Sequence, residues 1–296
     1  MQFASFGYHA FRMGRSRASF AGSLIRRAVA LPVVGAVLTM PSVRRGLRRL
    51  PVFSDLYRQG WLFPHPFDRR YGTRTSGFVS QNDLPGSPVD AGKPGFYAAS
   101  QPSIIRAALQ AIPGVAEFSF IDLGCGKGRA LMVATEFQFR AVVGVELSRD
   151  LAGIARENSR TLRRRFPARR PIEIELHDAV TYPFPPGNLV VFLYNPFGAA
   201  VIDQVAANLE ARASTGSRIF VVYYNPVHGS RFDASKTFCR YFAATVPYAA
   251  DEVGYGPDDD DTVVIWQAGL PRLPEVVGAA RPIKIVHAEI RAALEH

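Results

Sequence analysis

Apolar positions in this chain alternate between two textures from residue 102 onward. The first has helical spacing: Ile104, Ile105, Ala108, Leu109 and Ile112 recur every three or four residues, and Pro113-Gly114 ends the pattern. The second is a set of short apolar runs rich in Val, Ile and Phe, at Phe118–Leu123, Ala141–Glu146, Ile172–Leu176, Leu189–Leu193 and Ile219–Tyr223. Helix-like stretches Arg129–Phe137, Arg149–Arg165 and Ala199–Arg212 separate most of these runs. Strands without a polar face, divided by amphipathic helices, predict an α/β fold with a mostly parallel sheet and helices on both faces. The connection from 176 to 189 shows little helical pattern. Phe238–Val246 and Thr262–Trp266 predict two further strands, with Asp258–Asp261 as a solvated hairpin tip between them. From Pro282, residues Ile283, Val286, Ile290 and Leu294 share one helical face.

Upstream the texture differs. Residues 1–60 read as a basic, partly helical arm, and 61–100, rich in Pro, Gly, Ser and aromatics, as an irregular covering segment. The main domain spans 101–270, and 271–296 form a helical tail. No internal repeat of fixed period is present.

Charge sharpens this division. The net charge is +10, yet residues 1–75 alone carry thirteen Arg, no Lys and only Asp55 and Asp68, and the remainder is close to neutral. Such an arm suits nucleic acid, anionic lipid or an acidic protein surface. The competing explanation is a general preference for Arg, which outnumbers Lys 31 to 4. Ala28–Met40, the most apolar part of the arm, is shorter than the ~20 residues of a spanning helix. It reads as a helix packed on the body, with an interfacial helix as the alternative. Two cysteines, Cys125 and Cys239, exclude a disulfide framework and fit a reducing, cytoplasmic compartment, with peripheral membrane attachment open through the arm.

The candidate chemistry lies at the ends of the predicted strands. Phe118–Leu123 runs into Gly124-Cys125-Gly126-Lys127-Gly128 and then directly into a helix. Glycines there let the backbone turn tightly and let a ligand approach the main chain. A dinucleotide fingerprint requires a third small residue at position 129, where Arg129 stands. Asp122, two residues ahead of the first glycine, suits the cationic amino end of S-adenosylmethionine; a helix cap is the alternative. Glu146, at the second strand's end, suits both hydroxyls of a ribose. At the third, Asp178 suits an adenine amino group and the Ala179 N–H a ring nitrogen, although a strand-terminal Asp is also an ordinary turn residue. The fourth strand ends in Asn195-Pro196-Phe197. There the Asn oxygen and a carbonyl can accept from a target N–H and Phe197 can lie against it; a plain chain turn competes with that role.

The run Phe120-Ile121-Asp122-Leu123-Gly124-Cys125-Gly126-Lys127-Gly128-Arg129, with Val143–Glu146 behind it, resembles motif I and the acidic loop of class I S-adenosylmethionine-dependent methyltransferases. The likeness covers about residues 97–267. It is similar to bacterial members of that class and, remotely, to seven-strand protein-lysine methyltransferases. Phe67-Asp68-Arg69-Arg70-Tyr71-Gly72 through Thr75-Ser76-Gly77 resembles the N-terminal segment of those bacterial proteins, and Tyr97 the residue that closes over their cofactor. The resemblance implies a Rossmann-like seven-strand sheet of order 3-2-1-4-5-7-6, the seventh strand antiparallel. Asn195-Pro196-Phe197 is similar to the N-P-P-[YF] motif of amino-group methyltransferases, without its second proline.

These readings predict methyl transfer by in-line displacement, most plainly to an amino nitrogen of a protein lysine or small amine. Such a reaction needs alignment and a deprotonated nucleophile rather than a triad or a metal. His228 is a candidate base, with an ordinary loop histidine as the competing reading. The rival functions are a nicotinamide-dependent oxidoreductase and an inactive cofactor-binding module that works through its arm. Arg163–Arg165 and Arg169-Arg170 read as a solvated helix end.

Overall fold

The computed structural model describes residues 64–77, 79–80, 96–194, 197–256 and 259–276, together with Val43. The chain divides into two units, 1–60 and 61–296, and the account below concerns the second. The basic arm and the helical tail from Pro282 lie outside the described residues.

Helix α1 (Pro66–Tyr71) and a short antiparallel pair, β1 (Val79–Ser80) with β2 (Phe96–Tyr97), come first. They are followed by α2 (Pro102–Gln110), β3 (Phe118–Leu123), α3 (Arg129–Ala134), β4 (Ala141–Glu146), α4 (Arg149–Arg165) and β5 (Ile172–Leu176). Then come β6 (Asn188–Tyr194), α5 (Ala199–Ser214), β7 (Ile219–Tyr224), α6 (Ser230–Asp233), β8 (Cys239–Pro247) and β9 (Asp260–Ala268). The large sheet has the order β5-β4-β3-β6-β7-β9-β8. Strands β3 to β7 run parallel, and β9 is antiparallel to both its neighbours. Counted along the chain this is 3-2-1-4-5-7-6, the Rossmann-like order that the sequence resemblance implied.

Two apolar layers explain why β3, β6 and β7 are buried on both faces. Phe118, Phe120, Val190, Phe192 and Val222 point into one layer with Ile104 and Ile105 of α2 and Leu131 of α3. Their neighbours Ile121, Leu123, Val191, Leu193 and Val221 point into the other, against Ile202, Val205 and Leu209 of α5. Burial of each such side chain contributes about 1.5–3 kcal/mol. Helix α4 begins at Ser148, whose hydroxyl accepts from the Leu151 N–H, and its basic last turn complements the helix dipole.

Three expectations are adjusted. The 61–100 segment holds α1 and β2 rather than irregular chain alone. Helix α3 stops at Ala134, where Thr135 turns back and its hydroxyl donates to the Met132 carbonyl at 2.7 Å. Asp261 belongs to β9 and is 1% exposed, not part of a solvated tip. The hydroxyls of Tyr224 (2.5 Å) and Tyr248 donate to its carboxylate, which draws it inside.

Candidate functional site

Strand β3 carries Asp122 to its end and passes the chain into the glycine turn. Gly124, Gly126 and Gly128 have φ of 75°, 54° and 85°, where a Cβ is strained. The N–H groups of Gly124 and Cys125 fasten the turn by donating to the Val145 carbonyl at 2.8 and 3.1 Å. Gly126 has a second constraint: a Cβ there would lie 2.3 Å from the Tyr97 ring, so that ring rests on the bare main chain of the turn.

Asp122 is 3% exposed, flanked in the sheet by Gly144 and Phe192. Among the described residues no group donates a hydrogen bond to its carboxyl. Burial, and after it the like charge of Glu146, pushes this carboxyl well above the usual carboxylate range. Glu146, at the tip of β4, accepts from the Gly126 and Ser148 N–H groups, each at 2.8 Å. Burial raises its pKa too, partly offset by those N–H donors. The His177 N–H donates to the Glu146 carbonyl at 3.1 Å, holding the ends of β4 and β5 side by side. Just beyond, Asp178 is exposed and accepts from the Val180 N–H at 2.9 Å, while Ala179 is buried.

Gly124 to Gly128, Asp122, Glu146, Asp178 and Ala179 therefore meet along three adjacent strand ends, with Tyr97 above the turn. Asn195 and Pro196 lie outside the described residues; Phe197 is half-buried against the apolar layer under α5. Tyr194, the last residue of β6, stacks on Tyr224, ring centroids 4.2 Å apart. His228 is half-buried in the turn after β7. Burial, and after it Asp122, raises the Cys125 thiol well above its usual range, which disfavours the reactive thiolate. Among the described residues no group of three or more His, Cys, Asp or Glu side chains is arranged to hold a metal. No helix among them is long and apolar enough to cross a membrane.

Sequence reasoning gave 61–100 as a covering segment but missed the bonds that fasten its strap over this turn. Residues 72–77, following α1, fold around Asp68. One of its oxygens accepts from the Thr73 hydroxyl (2.8 Å) and from the Thr75 N–H (2.9 Å) and hydroxyl (2.7 Å). The other accepts from the Ser76 N–H (2.8 Å) and hydroxyl (2.5 Å). Arg129, 3% exposed, donates to the Thr75 hydroxyl at 2.7 Å and approaches Asp68 at 4.0 Å. Burial alone would raise the Asp68 pKa; the Arg129 charge and the surrounding donors outweigh it and hold the group below its usual value. Lys127 Nζ donates to the Ser76 carbonyl at 2.7 Å, and the Tyr97 hydroxyl to the Thr75 carbonyl at 2.7 Å. His65 caps α1 by accepting from the Phe67 N–H, so its Nε2 donates to Gln101 at 3.0 Å. Burial, and then Arg129, lowers its pKa to about 3. Glu252, from the loop after β8, accepts from Ser103 in the first turn of α2. The run of hydroxyls at Thr73, Thr75 and Ser76 beside an acid was the available sequence signal.

No family model matches the chain, and no curated protein matches it. Among solved structures it is similar to an RNA methyltransferase from Salinibacter ruber in complex with S-adenosyl-L-homocysteine. Identity is 17% and the TM-score 0.39, over 61% of this chain and 99% of that one. The StiE O-MT shows 16% identity and a TM-score of 0.40 over 58% of this chain and 74% of that one. A ribosomal protein L11 methylase from Lactobacillus delbrueckii subsp. bulgaricus shows 11% and 0.38, over 55% and 76%. At such identities and scores these likenesses add nothing to what the sheet order shows of the fold.

Proposed function

We propose that the protein is an S-adenosylmethionine-dependent methyltransferase whose acceptor is an amino nitrogen, on a protein lysine or a small amine. The observation that carries this reading is the Asp122 carboxyl, 3% exposed at a strand end and without a hydrogen-bond donor among the described residues. An isolated buried carboxyl is costly, and a cationic ligand group beside it removes the cost. The residues present fit this cofactor. Asp122 would hold its amino group and Glu146 the ribose hydroxyls. Asp178 and the Ala179 N–H, which donates to no described residue, would hold the adenine. When bound, the cofactor supplies a methyl group on a sulfonium with a neutral leaving group.

The chain's own work is alignment and exclusion of water. Tyr97 and the strap cover the glycine turn, and Arg129, tied to the strap, keeps that cover in place. For the acceptor, the candidates are Asn195, Pro196 and Phe197, which follow β6 in the sequence. The stacked rings of Tyr194 and Tyr224, with the Asp261 carboxylate behind Tyr224, make neighbouring surroundings that favour a cation. Cation–π attraction contributes about 0.5–2 kcal/mol. An amine must lose its proton before attack, and His228 is the nearby candidate to accept it.

Calorimetry with S-adenosylhomocysteine, and incubation of the protein with methyl-labelled S-adenosylmethionine and cell extract, test the two halves of this reading. We expect saturable binding and label on an amino nitrogen. Label confined to oxygen or carbon of a metabolite overturns the acceptor; stabilisation by NADH but not by S-adenosylhomocysteine overturns the cofactor. Tight binding without turnover in any extract would reduce the protein to a binding module.

A further inference from the structure

A second concave region lies at the opposite end of the parallel strands, where β4 and β5 begin. Arg70 from the end of α1, Arg106 from α2, Arg163 from the last turn of α4, and Arg169 and Arg170 from the loop before β5 converge there. With Glu136 they line a cavity of 740 Å³. A neighbouring cavity of 640 Å³ shares Arg163, Arg169 and Arg170 and adds Arg160 and Arg164. The helix dipole accounts for arginines in the last turn of α4. It does not account for guanidiniums from other segments arriving at the same place, where they repel one another.

Glu136, the carboxylate in the lining, is already committed. It takes a two-point bond from Arg106, at 2.6 and 2.9 Å, and a hydroxyl bond from Tyr71 at 3.1 Å. Arg169 Nη1 is buried 4.0 Å from it and has no hydrogen-bond partner among the described residues. The Arg169 side chain is 23% exposed, and with Glu136 already committed its guanidinium keeps hydrogen-bonding capacity for an added anion. Arg163 donates to the Arg169 carbonyl and Arg170 to the Phe139 carbonyl, at 2.9 and 3.0 Å, which fixes where their forks sit. The Arg169 guanidinium carbon lies 4.5 Å from the centre of the Phe166 ring.

We propose that this arginine-lined groove binds the phosphate backbone of a single-stranded nucleic acid. Planar forks held in place match phosphate oxygens two at a time. The two cavities share Arg163, Arg169 and Arg170, so their arginines offer several phosphate sites rather than one compact anion site. Basic grooves beside aromatic rings are the usual cradle for single strands. The large exposed apolar side chains among the described residues, Leu147, Leu176, Val253 and Leu270, are not part of this lining. The site is independent of the methyl-transfer reading.

The test is fluorescence anisotropy of a labelled oligouridylate against the full chain across a salt series. The variant Arg163→Gln/Arg170→Gln leaves Arg169 on its ring. It should weaken binding at least ~10-fold near physiological salt and lower the log–log salt slope by roughly 1.4, from ~0.7 per lost phosphate contact. Arg212→Gln/Arg218→Gln, with the same net charge, should stay within about twofold of wild type. Equal losses in both variants, or no loss in the first, overturn the proposal. So does tighter binding of phosphatidylserine vesicles or polyglutamate than of the oligonucleotide at equal charge, lost in the same variant. Thermal melting checks the fold. If the double variant melts early, Arg163→Gln alone, on the exposed last turn of α4, is read in the same titration.

Discussion

Two aspartates at this site are equally hidden from water and oppositely treated. Asp68, 6% exposed, receives five hydrogen bonds from the strap and lies 4.0 Å from the Arg129 guanidinium. Asp122, 3% exposed, receives none from the described residues, and its charged neighbour Glu146 has its own sign. Removing a carboxylate from water costs several kcal/mol in either place. Where the chain supplies every partner, the group organises structure. Where the chain withholds them, the group is left able to take a partner from outside, the role proposed above for Asp122.

The largest effect should come from breaking the satisfied member of the pair. Asp68→Ala strands the Arg129 charge and five donors, and should cost about 3–5 kcal/mol of stability. Urea unfolding followed by circular dichroism checks this, and an unchanged midpoint would remove the strap from any organising role. Asp122→Asn should act in the opposite direction on the free protein. Its folded pKa is raised, so its contribution to stability is complete in acid and is lost as pH rises through that pKa. The substitution should therefore stabilise increasingly from the ordinary carboxylate range upward. It should also weaken S-adenosylmethionine roughly 10- to 100-fold, the worth of a charge-assisted hydrogen bond. A less stable variant with undiminished affinity would dissolve the contrast. The smallest effect concerns His65, whose pKa is lowered by burial and then by Arg129 to about 3. The unfolded chain takes up a proton near pH 6.5 that the folded chain refuses, so stability should fall as pH drops from about 6.5 toward 3. His65→Gln, which keeps a group able to bond Gln101, should flatten the melting temperature over that window. A slope as steep as wild type would place the acid sensitivity elsewhere.

What could be read from the chain followed the physics of burial. The seven large strands lie within two residues of the expected runs because both faces of β3, β6 and β7 are apolar. Helix α4 matches from Arg149 to Arg165 because its amphipathic pattern starts at a capping serine. The strand-end residues Asp122, Glu146 and Asp178 were legible because a parallel sheet must bring successive strand ends together. Polar partners distant in sequence left no such trace. Arg129 was visible only as the residue that is not a third glycine, although its bonds to Thr75 and Ser100 tie the turn to two earlier segments. Asp261 was misplaced for the same reason: periodicity in the β8–β9 hairpin says nothing of Tyr224 and Tyr248 waiting for its carboxylate.

The bond between Arg129 and Thr75 sets a practical limit on trimming this protein. A shortened chain starting at Pro102 would keep every strand of the large sheet. It would lose every partner of the Arg129 guanidinium and lay bare the apolar surface that Phe67 and Tyr71 cover, so it should misfold or clump when expressed. A chain starting at Trp61 retains them. The smallest piece able to stand alone therefore begins well upstream of the first sheet strand.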